Sequence, residues 1–285
     1  MTLKQKAITK FKTDKNNYNT FPRKFHIELT FGCNNKCKMC YKQVLKKQEY
    51  EYMTPKLATE IAQKIRKTSP RKEDLYIKFA LRGEPTLNPH WLKITEIFHK
   101  NIPYATITTF TNGNTLTNKK IKQYFNSGGQ LLYIDCYKDT YNKYKQKFNK
   151  YPIYDWYNTE KNMYNMTKNE YPAIILIDDI LNRTGELDTR ILTNLAGNSN
   201  LKKPLTQPLQ QPCLRPFRDI AIFHDGTIPL CCSDGAIQYK LGNITQINNL
   251  KEWYITNKKL QTIKQQLSEG KRQTMPCKVC DYNGL

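Results

Sequence analysis

The sequence has no apolar run long enough to cross a membrane. A membrane-spanning helix needs about 20 consecutive, predominantly apolar residues, whereas an apolar stretch such as Ile174–Ile177 has only the length of a strand core. The N-terminal segment also lacks the apolar core and the cleavage site of a secretory signal peptide. We therefore expect a cytoplasmic protein with no membrane partner.

Acidic residues are scarce as well: 24 Asp and Glu stand against 46 Lys and Arg, so the formal net charge is +22. Such a charge would suit a nucleic acid or another phosphate-bearing partner. Arginine and alanine are also scarce, however, whereas lysine, asparagine, isoleucine and tyrosine are abundant, which indicates an AT-rich coding sequence. Because the basic residues are spread along the whole chain, a nucleic-acid partner is compatible with the charge but not favoured.

Nine cysteines in a chain without a secretory signal do not indicate a disulfide framework, and metal ligation by reduced thiols explains them better. Cys33, Cys37 and Cys40 lie within eight residues. Soft sulfur ligands select zinc or iron–sulfur clusters. A closed zinc site needs four protein ligands, and the next cysteine, Cys136, is almost a hundred residues away. A three-thiolate cluster would leave one iron open to bind a small molecule, while a zinc module remains the alternative.

The first two thirds of the chain alternate between strand and helix patterns. Six strands are predicted, near residues 25–30, 75–80, 104–110, 131–137, 151–157 and 172–178. This alternation predicts parallel βαβ units, and six strands are too few to close an eight-stranded barrel. We therefore predict an α/β fold with a partial (β/α)6 TIM-like barrel. The predicted organisation is a basic arm (1–24), the barrel (25–196), a proline-containing linker (197–212) and a small cysteine-rich domain (213–285).

The three-cysteine loop, with Met39 before its last cysteine and a predicted strand before its first, resembles the cluster loop of the radical S-adenosylmethionine (SAM) superfamily. The resemblance implies a [4Fe–4S] cluster held by Cys33, Cys37 and Cys40, whose open iron binds SAM. It also implies an external one-electron reductant of the flavodoxin or ferredoxin type, and cleavage of SAM to a 5′-deoxyadenosyl radical. The family fold is the same partial (β/α)6 barrel.

Three further strand ends are similar to SAM-binding motifs of that family. The sequence Leu-Arg-Gly-Glu-Pro after the second strand resembles Gly-Gly-Glu-Pro, in which Gly83 would permit close backbone approach and Glu84 would accept from the SAM ammonium. Arg82 replaces the first glycine, and its guanidinium is expected to point at the substrate or the SAM carboxylate. Asn112, in a Thr-Asn-Gly turn, would lie near SAM, and Asp135 would contact its ribose. The adenine motif of the family has no counterpart.

The C-terminal region carries a second group of cysteines. A hairpin signal at Asp225-Gly226, a Gly-Asn-Ile turn and a closing Cys-x-x-Cys pair resemble the SPASM auxiliary-cluster domain, in its shorter twitch form. The resemblance implies a second [4Fe–4S] cluster with four thiolate ligands: Cys213, Cys231, Cys277 and Cys280. A four-cysteine zinc knuckle is the alternative, since spacing alone does not separate zinc from iron.

Two cysteines are left without a ligand role. Cys136 follows Asp135 and should face the opposite side of its strand as a buried apolar residue. Cys232 neighbours the predicted ligand Cys231. In some radical SAM epimerases a non-ligand cysteine returns a hydrogen atom to the substrate radical, which makes Cys232 the candidate catalytic residue. The alternative is that Cys232 merely packs.

These patterns predict an enzyme that abstracts a substrate hydrogen, leading to epimerisation or dehydrogenation of a small molecule, a sugar or a peptide. Maturation of a ribosomal peptide and modification of a phosphate-bearing or nucleic-acid substrate are alternatives. Only 24 residues precede the first predicted barrel residue, so no fused leader-peptide module is expected. A non-catalytic zinc- or cluster-bearing nucleic-acid-binding protein would explain the charge, but it leaves the motifs at the strand ends unexplained.

Overall fold

The computed structural model of the chain describes residues 21–40, 42, 45, 49–69, 75–137, 140–155, 171–177, 193–199 and 201–282. Most of the predicted basic arm, residues 1–20, lies outside this part. The strands are β1 (Lys24–Ile27), β2 (Thr30–Phe31), β3 (Glu51–Tyr52), β4 (Tyr76–Phe79), β5 (Thr106–Thr111), β6 (Leu131–Asp135), β7 (Ile153–Asp155), β8 (Ala173–Ile177), β9 (Asp219–Ile222), β10 (Thr227–Pro229) and β11 (Lys240–Asn243). The α-helices are α1 (Pro55–Thr68), α2 (Trp91–Asn101), α3 (Asn118–Asn126), α4 (Thr140–Lys147), α5 (Arg215–Arg218), α6 (Leu250–Thr256) and α7 (Lys258–Ser268).

Seven strands form one parallel sheet in the order β7-β8-β6-β5-β4-β1-β9. All six predicted strands are present, which confirms the α/β class and the partial barrel. Their order is not sequential, because the sixth predicted strand, β8, pairs with the fourth, β6, and leaves β7 at the edge. The other edge is β9, which comes from the region beyond the predicted linker. The predicted domain boundaries stay a prediction.

The helices cover one face of the sheet. Thr54 caps α1, and its hydroxyl accepts a hydrogen bond from the Leu57 N–H at 3.2 Å. The helix then buries one apolar side against α2 and the sheet. Phe25 and Ile27 of β1 point into this main core, so His26 between them points to the opposite face. We call that opposite, inner face of the curved sheet the lumen.

The C-terminal region differs from its sequence pattern in two places. The apolar positions Leu250, Trp253, Leu260, Ile263 and Leu267 have the spacing of one continuous helix, but the helix is interrupted at Asn257, whose side chain accepts from the Leu260 N–H and caps α7. The predicted hairpin keeps its turn, with a hydrogen bond from the Phe223 N–H to the Thr227 oxygen of 2.9 Å. Beyond it, however, β9 joins the large sheet and β10 pairs with β11. In the described residues no helix is long and apolar enough to cross a membrane.

Candidate active site and cluster-binding sites

The three loop cysteines lie at the carboxyl ends of the central strands and line a cavity of about 400 Å³. This is the end of the sheet at which parallel barrels carry their chemistry. The same cavity is lined by all four of the predicted SAM-binding residues: Gly83, Glu84, Asn112 and Asp135. The structure thus brings together residues that are spread over about a hundred positions of the sequence.

The loop thiols are mostly buried and have polar neighbours. Cys33 Sγ accepts from the Asn35 N–H at 3.4 Å and lies 3.6 Å from Asn112 Nδ2, while Cys37 Sγ donates to the Tyr137 hydroxyl at 3.1 Å. Burial raises the pKa of Cys33 to about 11, with smaller contributions from Glu84 and Cys37. Burial likewise raises the pKa values of Cys37 and Cys40. Tyr137 was not identified as a site residue from the sequence, although it is the last residue of the fourth predicted strand and lies two positions after Asp135.

Close contacts with neighbouring backbone of the protein require glycine at position 83. A Cβ atom at this position would lie 2.0 Å from the Thr30 carbonyl oxygen and 2.6 Å from the Gly32 carbonyl oxygen. Both contacts are with backbone and cannot be relieved by a side-chain rotation. The absence of a side chain therefore lets the loop after β4 lie directly against the segment that leads into Cys33.

Glu84 is buried at the floor of the cavity, with 3% of its surface exposed. Its Oε1 accepts from the Thr86 N–H at 3.0 Å and from the hydroxyls of Thr86 and Thr111 at 2.6 Å each. Its Oε2 accepts from the Asn112 N–H at 2.8 Å, and no second donor contacts Oε2 among the described residues. Burial raises the pKa of Glu84, and these four bonds oppose the shift. The carboxylate is thus fixed in place with Oε2 able to accept one more donor.

Replacing Glu84 by Gln should weaken SAM binding by about 10-fold or more, since hydrogen bonds to charged groups contribute about 1.5–3 kcal/mol. The measurement is the dissociation constant of SAM by calorimetry on anaerobically reconstituted protein. Thr86→Ala is the matched control, because it removes only the hydroxyl donor to Oε1, keeps the Thr86 backbone N–H and leaves the Oε2 side intact. Unchanged SAM affinity in Glu84→Gln would contradict the assigned contact.

Arg82 also lines the cavity, but its guanidinium pairs with a carboxylate of the protein itself, so its contact with substrate or the SAM carboxylate stays a prediction. Its guanidinium is 6% exposed and forms a bidentate pair with Glu28, at 2.8 Å from Nε to Oε2 and 2.7 Å from Nη2 to Oε1. It also lies 3.6 Å from the centre of the Phe223 ring. The buried carboxylate of Glu28 is the physical reason: it would be costly to bury without a cation, and Arg82 supplies one.

The four cysteines of the second group also meet, although they are up to 67 positions apart in the sequence. They line one small cavity together with two arginines: Cys213, Cys231, Cys277, Cys280, Arg215 and Arg272. Burial raises the pKa of Cys277 to about 12, and the neighbouring thiols of Cys213 and Cys280 add to the shift. Burial, followed by the neighbouring thiol of Cys232, raises the pKa of Cys231 as well.

The two arginines at this cavity were not identified from the sequence. Arg272 is 2% exposed and donates to the carbonyl oxygens of Gln211, Pro212 and Tyr282 at 2.7–3.0 Å. Arg215 lies over the Tyr282 ring, at 3.7 Å from its centre, and donates to the Ser233 hydroxyl. Their positive charges offset the negative charge that thiolate ligands would bring into a buried site. In the sequence, only the position of Arg215, two residues after Cys213, could have indicated that an arginine lies at this cavity.

Cys136 and Cys232 occupy different environments. Cys136 is fully buried in the main core, as predicted. Cys232 does not line the cavity of the other four cysteines and instead lies with His26 and Asp219, the polar atoms of the three residues being within 4.8 Å of one another. Lys78 completes this group, since its charge interacts with both Asp219 and Cys232. We call His26, Lys78, Asp219 and Cys232 the lumen cluster.

Both groups of thiols fit iron–sulfur clusters. Thiolate is the form that binds metals, and the raised pKa values show that burial disfavours ionisation unless a cationic centre is bound. The first group offers three sulfur ligands beside an open cavity, and the second offers four with two arginines. The lumen cluster does not fit a metal cation, because Lys78 lies beside it and Arg218 already donates to both Asp219 oxygens, at 2.9 and 3.2 Å.

Comparisons with solved structures agree with the fold. The crystal structure of BtrN in complex with AdoMet and 2-DOIA has a TM-score of 0.70 and 20% identity, over 92% of this chain and 93% of that chain. BtrN in an open conformation gives 0.62 and 17%, over 92% of each chain. Native anSMEcpe with bound AdoMet gives 0.54 and 16%, over 93% of this chain and 92% of that chain. At such identities the likeness concerns the fold alone.

Family models give the more specific result. No curated protein matches the sequence. The model of the radical SAM superfamily matches residues 27–191, more than half of the chain, and the model of the SPASM iron–sulfur cluster-binding domain matches residues 213–281. These two regions contain the two cysteine groups described above. The chain therefore belongs to the radical SAM superfamily, with SAM and a SAM-binding [4Fe–4S] cluster as its cofactors and a C-terminal SPASM domain for auxiliary iron–sulfur binding.

Proposed function

We propose that this enzyme abstracts a hydrogen atom from a small polar substrate in the lumen and that Cys232 returns a hydrogen atom to the opposite face, which gives epimerisation. Cys33, Cys37 and Cys40 would hold the [4Fe–4S] cluster, which when bound and reduced by an external donor would supply the electron for cleavage of SAM. The proposed roles of the described residues are to hold SAM and to control the substrate radical. Gly83, Glu84, Asn112 and Asp135 carry the first of these roles.

The observation that carries the proposal is the position of the Cys232 thiol. It neighbours Cys231 but does not line the cavity of the four predicted cluster ligands, and it lies close to two titratable groups of the lumen, His26 and Asp219. A weakly bound hydrogen on sulfur can be transferred to a carbon radical, which leaves a sulfur radical on Cys232. One electron from the external reductant and one proton then restore the thiol, and His26 is placed to pass the proton.

The environment of His26 suits that proton transfer. Its Nε2 lies 3.7 Å from Asp219 Oδ2 and has no hydrogen-bond partner among the described residues. Burial lowers the pKa of His26, although Asp219 opposes the shift. A histidine that is neutral at physiological pH can accept a proton from one group and pass it to another.

Dehydrogenation is the second candidate, and the same group of side chains favours it. A radical on a hydroxyl-bearing carbon becomes a carbonyl when it loses one electron to an acceptor and its hydroxyl proton to a base. Burial lowers the pKa of His26, and a neutral imidazole is a base that this step can use. In this reaction Cys232 would have no chemical role.

The Cys232→Ala variant separates the two candidates. If Cys232 donates hydrogen, the variant should still cleave SAM and abstract the substrate hydrogen, but epimerised product should be lost almost completely, because the substrate radical has no donor. In deuterated water the wild-type product should carry one deuterium at carbon, since a thiol exchanges with solvent. The measurement is mass spectrometry of the products of candidate sugars and amino sugars, with iron content measured on each protein.

Two controls sharpen this experiment. Cys232→Ser keeps the size and polarity of the side chain but has a stronger bond to hydrogen, so it should behave like the alanine variant. Cys136→Ala removes a buried thiol of the main core and should keep the deuterium transfer. Full activity of Cys232→Ala, with no deuterium in the wild-type product, would exclude the donor role and leave dehydrogenation.

A further inference from the structure

A buried charge network joins the SAM-binding loop to the C-terminal region. Beyond the bidentate pair, Glu28 Oε2 accepts from the backbone N–H of Arg82 at 3.1 Å, so one carboxylate holds both the side chain and the main chain of that residue. Glu28 is fully buried. Gly83 and Glu84 follow immediately in the sequence, so whatever fixes Arg82 also fixes the start of this loop.

The other side of the network lies just after β9. Nδ1 of His224 is 2.8 Å from Glu28 Oε1, and its Nε2 is 2.9 Å from Glu51 Oε2. Arg82 Nη1 also donates to the Gly235 carbonyl oxygen at 3.3 Å. Segments more than 150 positions apart in the sequence therefore meet on the Glu28 carboxylate.

The loop needs such support because its backbone is strained. Leu81, which precedes Arg82, has a φ of 98°, a value that residues with a side chain rarely adopt. Such a conformation persists only when its surroundings hold it. The bond from the Arg82 N–H to Glu28 lies directly after the strained residue, and Glu84, three residues after Leu81, carries the carboxylate that faces the cavity.

We propose that Arg82 and His224 are positioning residues for SAM: through Glu28 they hold the strained loop in the conformation that presents Glu84, and the hold is strongest when His224 is protonated. The proposal rests on the proposed contact between Glu84 and the SAM ammonium. It explains the presence of Arg82 at the position where the family pattern has glycine. It also makes SAM affinity depend on a residue of the C-terminal region.

The chemistry of imidazole gives the dependence on protonation. Two carboxylates contact the two ring nitrogens of His224, and both nitrogens can donate only in the imidazolium form. The charged groups that interact with this ring are Glu28, Glu51 and Asp225, and Arg82 shares the Glu28 carboxylate with it. Burial would lower the pKa of His224, but Glu28, then Glu51 and Asp225, outweigh burial and raise it.

The direction with pH follows from that shift. A group whose folded-state pKa is raised stabilises the folded state fully below its unfolded pKa, about 6.5 for histidine, and the contribution is lost as pH rises through the folded pKa. Above that pH the neutral ring donates through only one nitrogen, and the lone pair of the other nitrogen faces a carboxylate. The network then carries an uncompensated negative charge, and the loop is held less firmly.

The first test removes the bidentate pair. Arg82→Gly restores the family pattern, and Arg82→Lys keeps the charge but loses the fork of donors. Both should weaken SAM binding by about 5-fold to 150-fold, the usual range for coupled sites. Calorimetric titration of SAM into the reconstituted, two-cluster protein measures this, and iron content with the urea midpoint verifies that each variant is folded. If Arg82→Gly unfolds, Arg82→Lys carries the test.

The second test follows the SAM dissociation constant between pH 6 and pH 9. His224→Asn keeps a donor toward Glu28 but carries no charge, and His90→Asn, at an exposed position of α2's N-cap, is the matched control. As pH rises, the SAM affinity of wild type and of His90→Asn should fall about 5-fold more than the SAM affinity of His224→Asn. Ionisation of the SAM amino group is common to all three proteins, so the ratio isolates His224.

Each result has one meaning. Two results would overturn the positioning role, provided that Glu84→Gln still loses SAM affinity. One is wild-type SAM affinity in folded Arg82→Lys, and the other is identical pH profiles for wild type and His224→Asn. If Glu84→Gln also binds SAM normally, the assignment of Glu84 has failed instead, and the positioning role falls with it.

Discussion

Replacing Cys33, Cys37 and Cys40 together by alanine is expected to remove about four of about eight iron atoms and to abolish SAM cleavage, since each cubane cluster contains four irons. The physical reason is the separation of the two thiol groups into different cavities. Loss of the first set leaves the four ligands of the second, and the arginines beside them, in place. The variant should therefore keep one complete cluster.

Anaerobic reconstitution followed by iron and sulfide analysis measures this result, and release of 5′-deoxyadenosine reports SAM cleavage. The Cys277/Cys280 double alanine variant is the matched counterpart: it should lose the other half of the iron while SAM still binds. A triple variant that retained all its iron would contradict the assignment of Cys33, Cys37 and Cys40 as ligands. Zinc in place of iron in the native protein would contradict both cluster sites.

The second large effect is expected from Gly83→Ala. The added Cβ would lie 2.0 Å from a backbone oxygen, so the loop carrying Glu84 or the segment before Cys33 must move. Overpacking of this kind costs about 1–3 kcal/mol of unfolding free energy. Because Glu84 Oε2 is held by the backbone of Asn112, a displaced loop also loses the geometry for SAM, and SAM affinity should fall by about 10-fold or more.

Urea denaturation and SAM titration together measure both consequences. Gly242→Ala is the matched control, since a Cβ there meets its nearest atom, Nε1 of Trp253, at an ordinary 3.7 Å. It should change neither quantity appreciably. Gly83→Ala with wild-type SAM affinity would mean that the close approach to the Thr30 oxygen does not position the SAM-binding loop.

Much of the fold is readable from the sequence because the signals are local. A strand pattern or a helix cap involves neighbours only a few positions apart, and a threonine followed by proline, here Thr54 and Pro55, is a local signal that marks the start of α1. Strand pairing is not local in this sense. Consecutive strands are usually neighbours in a sheet, so the sequence favours sequential order, whereas β8 lies between β6 and β7.

The candidate sites divide in the same way. The spacing of Cys33, Cys37 and Cys40, and the strand-end residues Gly83 and Glu84, identify the first site because each motif is contiguous and the parallel sheet brings strand ends together. The prediction of the second site needed only the assumption that its four cysteines come together in the fold. Each prediction used residues whose chemistry is specific enough to be recognised without their neighbours.

By itself, therefore, the sequence determined the fold class, the two groups of cysteines and four further residues of the cavity beside the first group: Gly83, Glu84, Asn112 and Asp135. Only the tertiary structure decided the partners of charged side chains. Arg82 turns to Glu28 because burial makes an unpaired carboxylate costly, and Cys232 meets His26 and Asp219 because β1 and β9 pair across almost two hundred positions. Such partners are chosen by three-dimensional packing and desolvation, which no local spacing encodes.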